Sequence, residues 1–298
     1  MPATIPARAG ALAGGVAAAG VACVAYGVLV ERDWYRLRRE TVPALAPGRP
    51  PLSVLHLSDL HLTAADGRRV EFLRRLADEP ADLVVLTGDM LGAPEGLDPV
   101  LDVLGRFRPG LGAVAVLGSN DYWAPRFHNW VGYFRGPSSR RRRTGARNPW
   151  RELVAGLEDH GWLVLSNRRG RLGDVELAGM DDPHIRRDDP RVALPPSGEP
   201  ARLRVGVVHS PYRRSLDAFE RNGYGLLLAG HTHGGQVRLP GVGALVTNCD
   251  LPRSRARGLS QWGTSWLHVS GGLGTSKFAR FRFACRPEAS LLTVVPRG

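Results

Sequence analysis

Asp59 and His61 stand two apart in Ser58-Asp59-Leu60-His61, and that spacing in extended backbone projects both side chains to the same side. A carboxylate and an imidazole so placed can share one ion. His231 and His233, in Gly230-His231-Thr232-His233, repeat the geometry, while His209 adds an imidazole and Asp89 a second carboxylate. This mixed nitrogen and oxygen set suits Mn, Fe or Zn better than Ca or Mg. Its natural capacity is a pair of divalent ions. Asp89 lies between the two groups in chain order and is the candidate bridge, since one carboxylate can neutralise two cations roughly 3.5–4 Å apart. Each element alone is weak: Asp-Leu-His is commonplace, and a lone buried histidine is more often a hydrogen-bonded core residue.

The set gains force from the elements that must position it. Aliphatic runs at Ser53–Leu57, Leu83–Leu86, Val114–Leu117, Val205–Val208 and Leu226–Ala229 each end in a polar cluster, the third being Gly118-Ser119-Asn120-Asp121. Short continuous aliphatic runs read as buried parallel strands, and ligands of α/β sheets bind beyond the strands' carboxyl ends. Asp59 to Asp89 and Asp89 to Asn120 are each about one βαβ unit. Helical periodicity over Val70–Asp78 and Leu97–Phe107 supplies crossovers, with a third helix at Trp150–His160. Asp174–Ala178, Trp266–Val269 and Leu291–Val295 are expected as further strands, in a second sheet. The fold class is α/β.

The ordered motifs resemble those of the calcineurin-like metallophosphoesterase family, and the resemblance spans Leu52 to Pro296. The family signature runs Asp-x-His, Gly-Asp, Gly-Asn-His-(Asp/Glu), His, then Gly-His-x-His. Here it reads Asp59-Leu60-His61, Gly88-Asp89, Gly118-Ser119-Asn120-Asp121, His209 and Gly230-His231-Thr232-His233. The extension Gly234-Gly235-Gln236-Val237, with Gly272-Leu273-Gly274-Thr275-Ser276 and Arg286-Pro287-Glu288, looks like the membrane-associated or exported bacterial branch. The resemblance implies a central β-sandwich flanked by helices. It also implies a first ion on Asp59, His61 and His233, a second on His209 and His231, and Asp89 between them. Asn120 and Asp121 are the candidate catalytic residues. In the third motif Ser119 replaces the family's metal-binding Asn, and Asn120 its phosphate-contacting His. Either the loop shifts so that the Asn120 amide reaches the second ion, which is the favoured reading, or Ser119 or a water does so. Neither restores an imidazole, so general-acid help worth roughly 10²–10⁴ in rate is missing or comes from elsewhere; His184, His128 and His268 are the available stand-ins.

The expected activity is metal-dependent phosphoester hydrolysis at a dinuclear centre, with hydroxide generated from a metal-activated water. A phosphodiester or pyrophosphate of a membrane or envelope substrate is the expected target. One alternative is a catalytically impaired metal- and anion-binding membrane protein; another is a nuclease, ranked lower for want of a nucleic-acid module. Composition fits this: 298 residues with 43% apolar and 23% charged exclude wholesale disorder, and a net charge of +12 favours anionic partners. Cys23, Cys249 and Cys285 suggest neither a disulfide framework nor a thiolate zinc site.

Residues 1–30 hold an uncharged run from Ala9 to Val30, expected as a single-pass membrane anchor or, failing that, a signal segment. Arg32, Arg36, Arg38 and Arg39 after it, against Arg8 before it, favour a cytoplasmic catalytic part at the cell membrane. Residues 31–51, with Pro43, Pro47, Pro50 and Pro51, are expected as a stiff linker to a domain over 52–298. That domain carries an Arg-rich insertion, 123–149, with the run Arg140–Arg143. Oligomeric state is not legible.

Overall fold

The computed structural model describes residues 5–125, 146–194, 201–276 and 278–298. Two six-stranded sheets pack face to face. The first comprises β1 (Arg36–Leu45), β2 (Leu52–Leu57), β3 (Leu83–Thr87), β4 (Gly112–Val116), β5 (Trp162–Val164) and β14 (Glu288–Pro296), in the order β1-β14-β2-β3-β4-β5. The second comprises β6 (Arg168–Leu172), β7 (Val175–Met180), β8 (Leu203–Val208), β9 (Leu226–Ala229), β12 (Gly258–Trp262) and β13 (Ser265–Val269), in the order β12-β13-β9-β8-β7-β6. A small hairpin, β10 (Arg238–Leu239) with β11 (Gly243–Ala244), lies outside both.

Period-two alternation explains the layering. Leu55, Leu57, Val84 and Leu86 face α2 (Gly67–Ala77), α3 (Leu97–Leu104) and α5 (Trp150–Asp159), meeting Leu73, Val103 and Leu157. Val54, Val85 and Val114 face the other way, onto Leu177, Val205 and Leu228 of the second sheet. That sheet's far side is covered by α6 (Arg213–Arg221) through Leu216 and Phe219. The expected strands and helices all form. Leu291–Val295, however, joins the first sheet rather than the second, pairing antiparallel with β2.

Residues 31–51 do not form the expected linker. Arg36–Leu45 is the edge strand of the first sheet, parallel to β14, with Arg36 opposite Glu288 and Thr41 opposite Thr293. An edge tolerates its charges and Pro43, which has no N–H to donate. The Pro43 carbonyl accepts from Trp266 Nε1 at 3.0 Å, and the buried Glu31 carboxylate accepts from the backbone of Ala284 and Cys285. The uncharged run is helical as far as Leu29, in α1 (Ile5–Leu29). Among the described residues no helix is long and apolar enough to cross a membrane.

One polar pair interrupts the layer between the sheets. His56 Nδ1 lies 2.8 Å from His268 Nδ1, and His56 Nε2 lies 3.0 Å from Thr87 Oγ1. Burial, with His268 beside it, holds His56 well below the usual histidine range; burial and then Arg38 push His268 down to about 3. A histidine with a depressed folded-state pKa binds fewer protons folded than unfolded. Its stabilising contribution is complete above about pH 6.5 and declines by up to about 1.4 kcal/mol per pH unit as pH falls below that value. We therefore expect both imidazoles to give neutral-form NMR signals at pH 5, while the urea midpoint drops between pH 7 and pH 5. Titration of either signal near 6.5 would contradict this.

Candidate metal centre

Every residue of the candidate set sits just past the carboxyl end of a strand. Asp59 and His61 follow β2, Asp89 follows β3, His209 follows β8, and His231 and His233 follow β9. Asn120 lies in α4 (Ser119–Tyr122), a single turn after β4. The two sheets thus present their loops to one edge, and the set converges there. His61 Nε2 stands 3.3 Å from His233 Nε2 and 3.6 Å from Asp89 Oδ2. His233 Nε2 is 3.5 Å from Asp59 Oδ1, and His209 Nε2 is 3.4 Å from Asp89 Oδ2. Asp59, His61 and His233 could hold one cation, and Asp59, Asp89 and His209 a second. The His231 ring lies edge-on to His209, their centroids 5.2 Å apart.

The backbone bends hard to achieve this. Asp59, His61, Asp89, His231 and His233 all have positive φ, between 44° and 67°. Left-handed backbone costs a non-glycine residue about 1–2 kcal/mol, and such strain gathers where function requires it. The turns are tied down: Asp59 N donates to Gly88 O, His61 N to Asp89 O, and Gly274 N to Asp59 O. A Cβ on Gly230 would run into Ser58 Oγ and Asp59 Oδ2, so only glycine lets the second sheet's loop approach.

Hydrogen bonds leave the ligand atoms aimed inward. His209 Nδ1 is 2.6 Å from the Thr87 carbonyl, which can only accept, so Nδ1 carries hydrogen and Nε2 faces Asp89. Asp59 Oδ2 accepts from Ser58 Oγ and His231 N, while Asp59 Oδ1 and His209 Nε2 are buried without a hydrogen-bond partner. Orphaned polar atoms of this kind are costly in a protein interior, and they are the atoms a cation would satisfy. Burial raises Asp59 to about 6 and lowers His61 and His231 to about 4. Against burial, the Asp89 carboxylate lifts His209 well above its usual range; against burial also, His209, His61 and the Asn120 N–H hold Asp89 well below its own. Burial, with His61 beside it, holds His233 well below the usual histidine range, so three imidazoles are poised neutral, the form that binds metal.

In the third motif Asn120 stands beside the Asp89 carboxylate: its Nδ2 is 2.6 Å from Asp89 Oδ2, and its backbone N–H donates to Asp89 Oδ1 at 2.7 Å. Asp121, expected among the catalytic residues, is a scaffold instead. It is fully buried, and its two oxygens accept from the backbone N–H groups of Asp89, Met90, Leu91 and Gly118. Those four bonds lock the Asp89 loop to the α4 turn and leave no oxygen facing the cage. Of the stand-in imidazoles, His268 lies between the sheets, and His128 lies outside the described residues together with most of the 123–149 insertion. His184 lies beside His231, ring centroids 4.5 Å apart.

Several supporting residues leave no motif in the sequence. Arg69 is buried and donates to the carbonyls of Leu60 and His61. Asn148 Nδ2 donates to the Asn120 carbonyl. Arg282, fully buried, donates to the carbonyls of Gly271, Gly272, Gly274 and Cys285, and its Nη2 lies 3.5 Å from His233 Nδ1. Asp182 was within reach, since it follows an expected strand as the other clusters do.

Comparison with known proteins agrees with this geometry. The chain is 28% identical over 256 residues to the metallophosphoesterase YkoQ of Bacillus subtilis (strain 168), covering 82% of this chain and 84% of that protein. It is 26% identical to the phosphodiesterase YaeI of Escherichia coli (strain K12), covering 89% and 90% of the two chains. It is 28% identical to a bovine (Bos taurus) transmembrane protein with a metallophosphoesterase domain, over 70% of this chain and 46% of that one. The sequence profile of the calcineurin-like phosphoesterases matches residues 52–235, more than half of the chain. The chain therefore belongs to the calcineurin-like phosphoesterase family and is a phosphoester hydrolase.

Proposed function

We propose that this hydrolase acts on phosphodiesters through a dinuclear centre of divalent cations, one held by Asp59, His61 and His233, the other by His209, His231 and the Asn120 amide, with Asp89 between them. The observation that carries the reading is the pairing of orphaned buried atoms, Asp59 Oδ1 and His209 Nε2, on either side of the Asp89 carboxylate. A bound pair of divalent cations supplies a nucleophile near neutral pH and offsets charge on the phosphoryl oxygens. The chain's own residues do the rest. Thr87 fixes the His209 tautomer, Asp121 fixes the Asp89 loop, and Arg69 fixes the His61 carbonyl. Position 120 carries an amide, which can donate a hydrogen bond to a phosphoryl oxygen but cannot protonate a leaving group.

Such a site favours esters with good leaving groups, and the name of the YaeI relative agrees with a diester. The same reading puts the enzyme at a membrane, its catalytic part on the cytoplasmic side. Support comes from the exposed Val21, Val24, Leu29, Val30 and Trp34 around the end of α1, from the arginines after it, and from the name of the bovine relative. The test uses the full chain in detergent with Mn²⁺, comparing bis(p-nitrophenyl) phosphate with an alkyl monoester such as β-glycerophosphate. We expect metal near two per chain and turnover of the aryl diester at least about 10²-fold above the alkyl monoester, the low end of what a missing acid costs. Two ions bound without turnover of any ester would favour an anion-binding role and overturn the reading.

A further inference from the structure

β7 runs parallel to β8 with Met180 opposite Val208, so the residues just past β7 flank His209. There the chain reads Asp181-Asp182-Pro183-His184. The two carboxylates have different fates. Asp181 accepts from Tyr122 Oη and Arg187 Nε. Asp182 is fully buried, and although its Oδ1 accepts from His184 N at 2.9 Å, its Oδ2 has no hydrogen-bond partner. That oxygen shares its condition with Asp59 Oδ1 and His209 Nε2 of the cage. The short turn at Pro183–Ile185, which Asp182 caps, also sets the His184 ring against His231.

We propose that Asp182 is a positioning residue of the His209/His231 half of the centre, a buried carboxylate whose charge strengthens cation binding there while its cap fixes the ring that backs His231. It rests on the metal-site reading above and adds a residue to it. A buried carboxylate with one oxygen unpaired is unfavourable by itself, and a neighbouring divalent charge removes that penalty. No ion pair with an arginine competes for Asp182 among the described residues, whereas Asp188 nearby is committed to Arg214.

The experiment is Mn²⁺ titration of the metal-free full chain, followed by calorimetry and by the spin-coupled EPR signal of a paired centre, for wild type, Asp182→Asn and Asp188→Asn. Thermal melting is recorded with and without metal. Asp182→Asn should weaken the second Mn²⁺ roughly 10–100-fold, the usual effect of losing an outer partner of a metal ligand, and leave the first within about twofold. Its metal-free form should melt no lower than wild type, because an unpaired buried charge has gone, while the metal-induced rise in melting temperature shrinks. Asp188→Asn should leave both affinities unchanged. Wild-type second-site affinity in Asp182→Asn overturns the proposal, as does a lower melting temperature of its metal-free form with both ions equally weakened, which is what a purely structural carboxylate would give. Wild type that takes up no Mn²⁺ overturns the metal-site reading, and this proposal with it.

Discussion

Replacing Asp89 by asparagine is expected to cost more activity than any other single change in this chain. The carboxylate sits within 3.6 Å of both His61 Nε2 and His209 Nε2 and accepts from the Asn120 backbone and amide. Asparagine keeps the shape but removes the charge shared by the two halves of the cage. Loss of an outer partner of a ligand costs roughly 10–100-fold, so loss of the shared carboxylate should exceed about 10²-fold in kcat/KM for an aryl phosphodiester. Metal content should fall below two per chain in the same protein. Retention of full metal and of more than a tenth of wild-type turnover would exclude Asp89 from the centre. The folded state should survive, because Asp121 holds the loop through backbone N–H groups that the substitution leaves in place.

The second large effect is expected in stability. Arg282 has no carboxylate within ion-pairing distance among the described residues, and its guanidinium is spent on four backbone carbonyls and the edge of His233. Burial lowers its pKa. Methionine at 282 would match its length yet leave those carbonyls unpaired, each costing about 1–3 kcal/mol. A net loss of about 3–5 kcal/mol is expected, seen as a fall of roughly 10 °C or more in Tm. Lysine should not rescue it, since one ammonium cannot span carbonyls that a planar fork reaches together. A Tm within a few degrees of wild type for Arg282→Met would show that the 271–274 loop holds itself.

The strands bearing the ligands were legible because each is a largely buried, mainly apolar run closed by a polar cluster, as at Leu226–Ala229 before Gly230-His231. Convergence of those clusters followed from strand polarity. The edge strands were not legible: β6 reads Arg-Arg-Gly-Arg-Leu and β1 is broken by Pro43, because a strand with one free side needs little apolar patterning. The scaffolding arginines escaped for a different reason. Arg69 and Arg282 bind carbonyls, whose positions are set by fold rather than residue type, so no spacing announces them. Asp121 misled because acidity next to a phosphate motif suggests chemistry, whereas its oxygens are consumed by backbone.

The parallel pairing of β1 with β14 joins strands far apart in the sequence, Arg36 lying opposite Glu288 and Leu45 opposite Pro296. During vectorial synthesis β1 has no mate until Glu288–Pro296 has left the ribosome. Until then its sheet stays unzipped along one margin, and a contact of such high sequence separation forms late. A recombinant fragment begun at Leu52 would lack this closing strand for good, leaving β14 as a bare template for self-association.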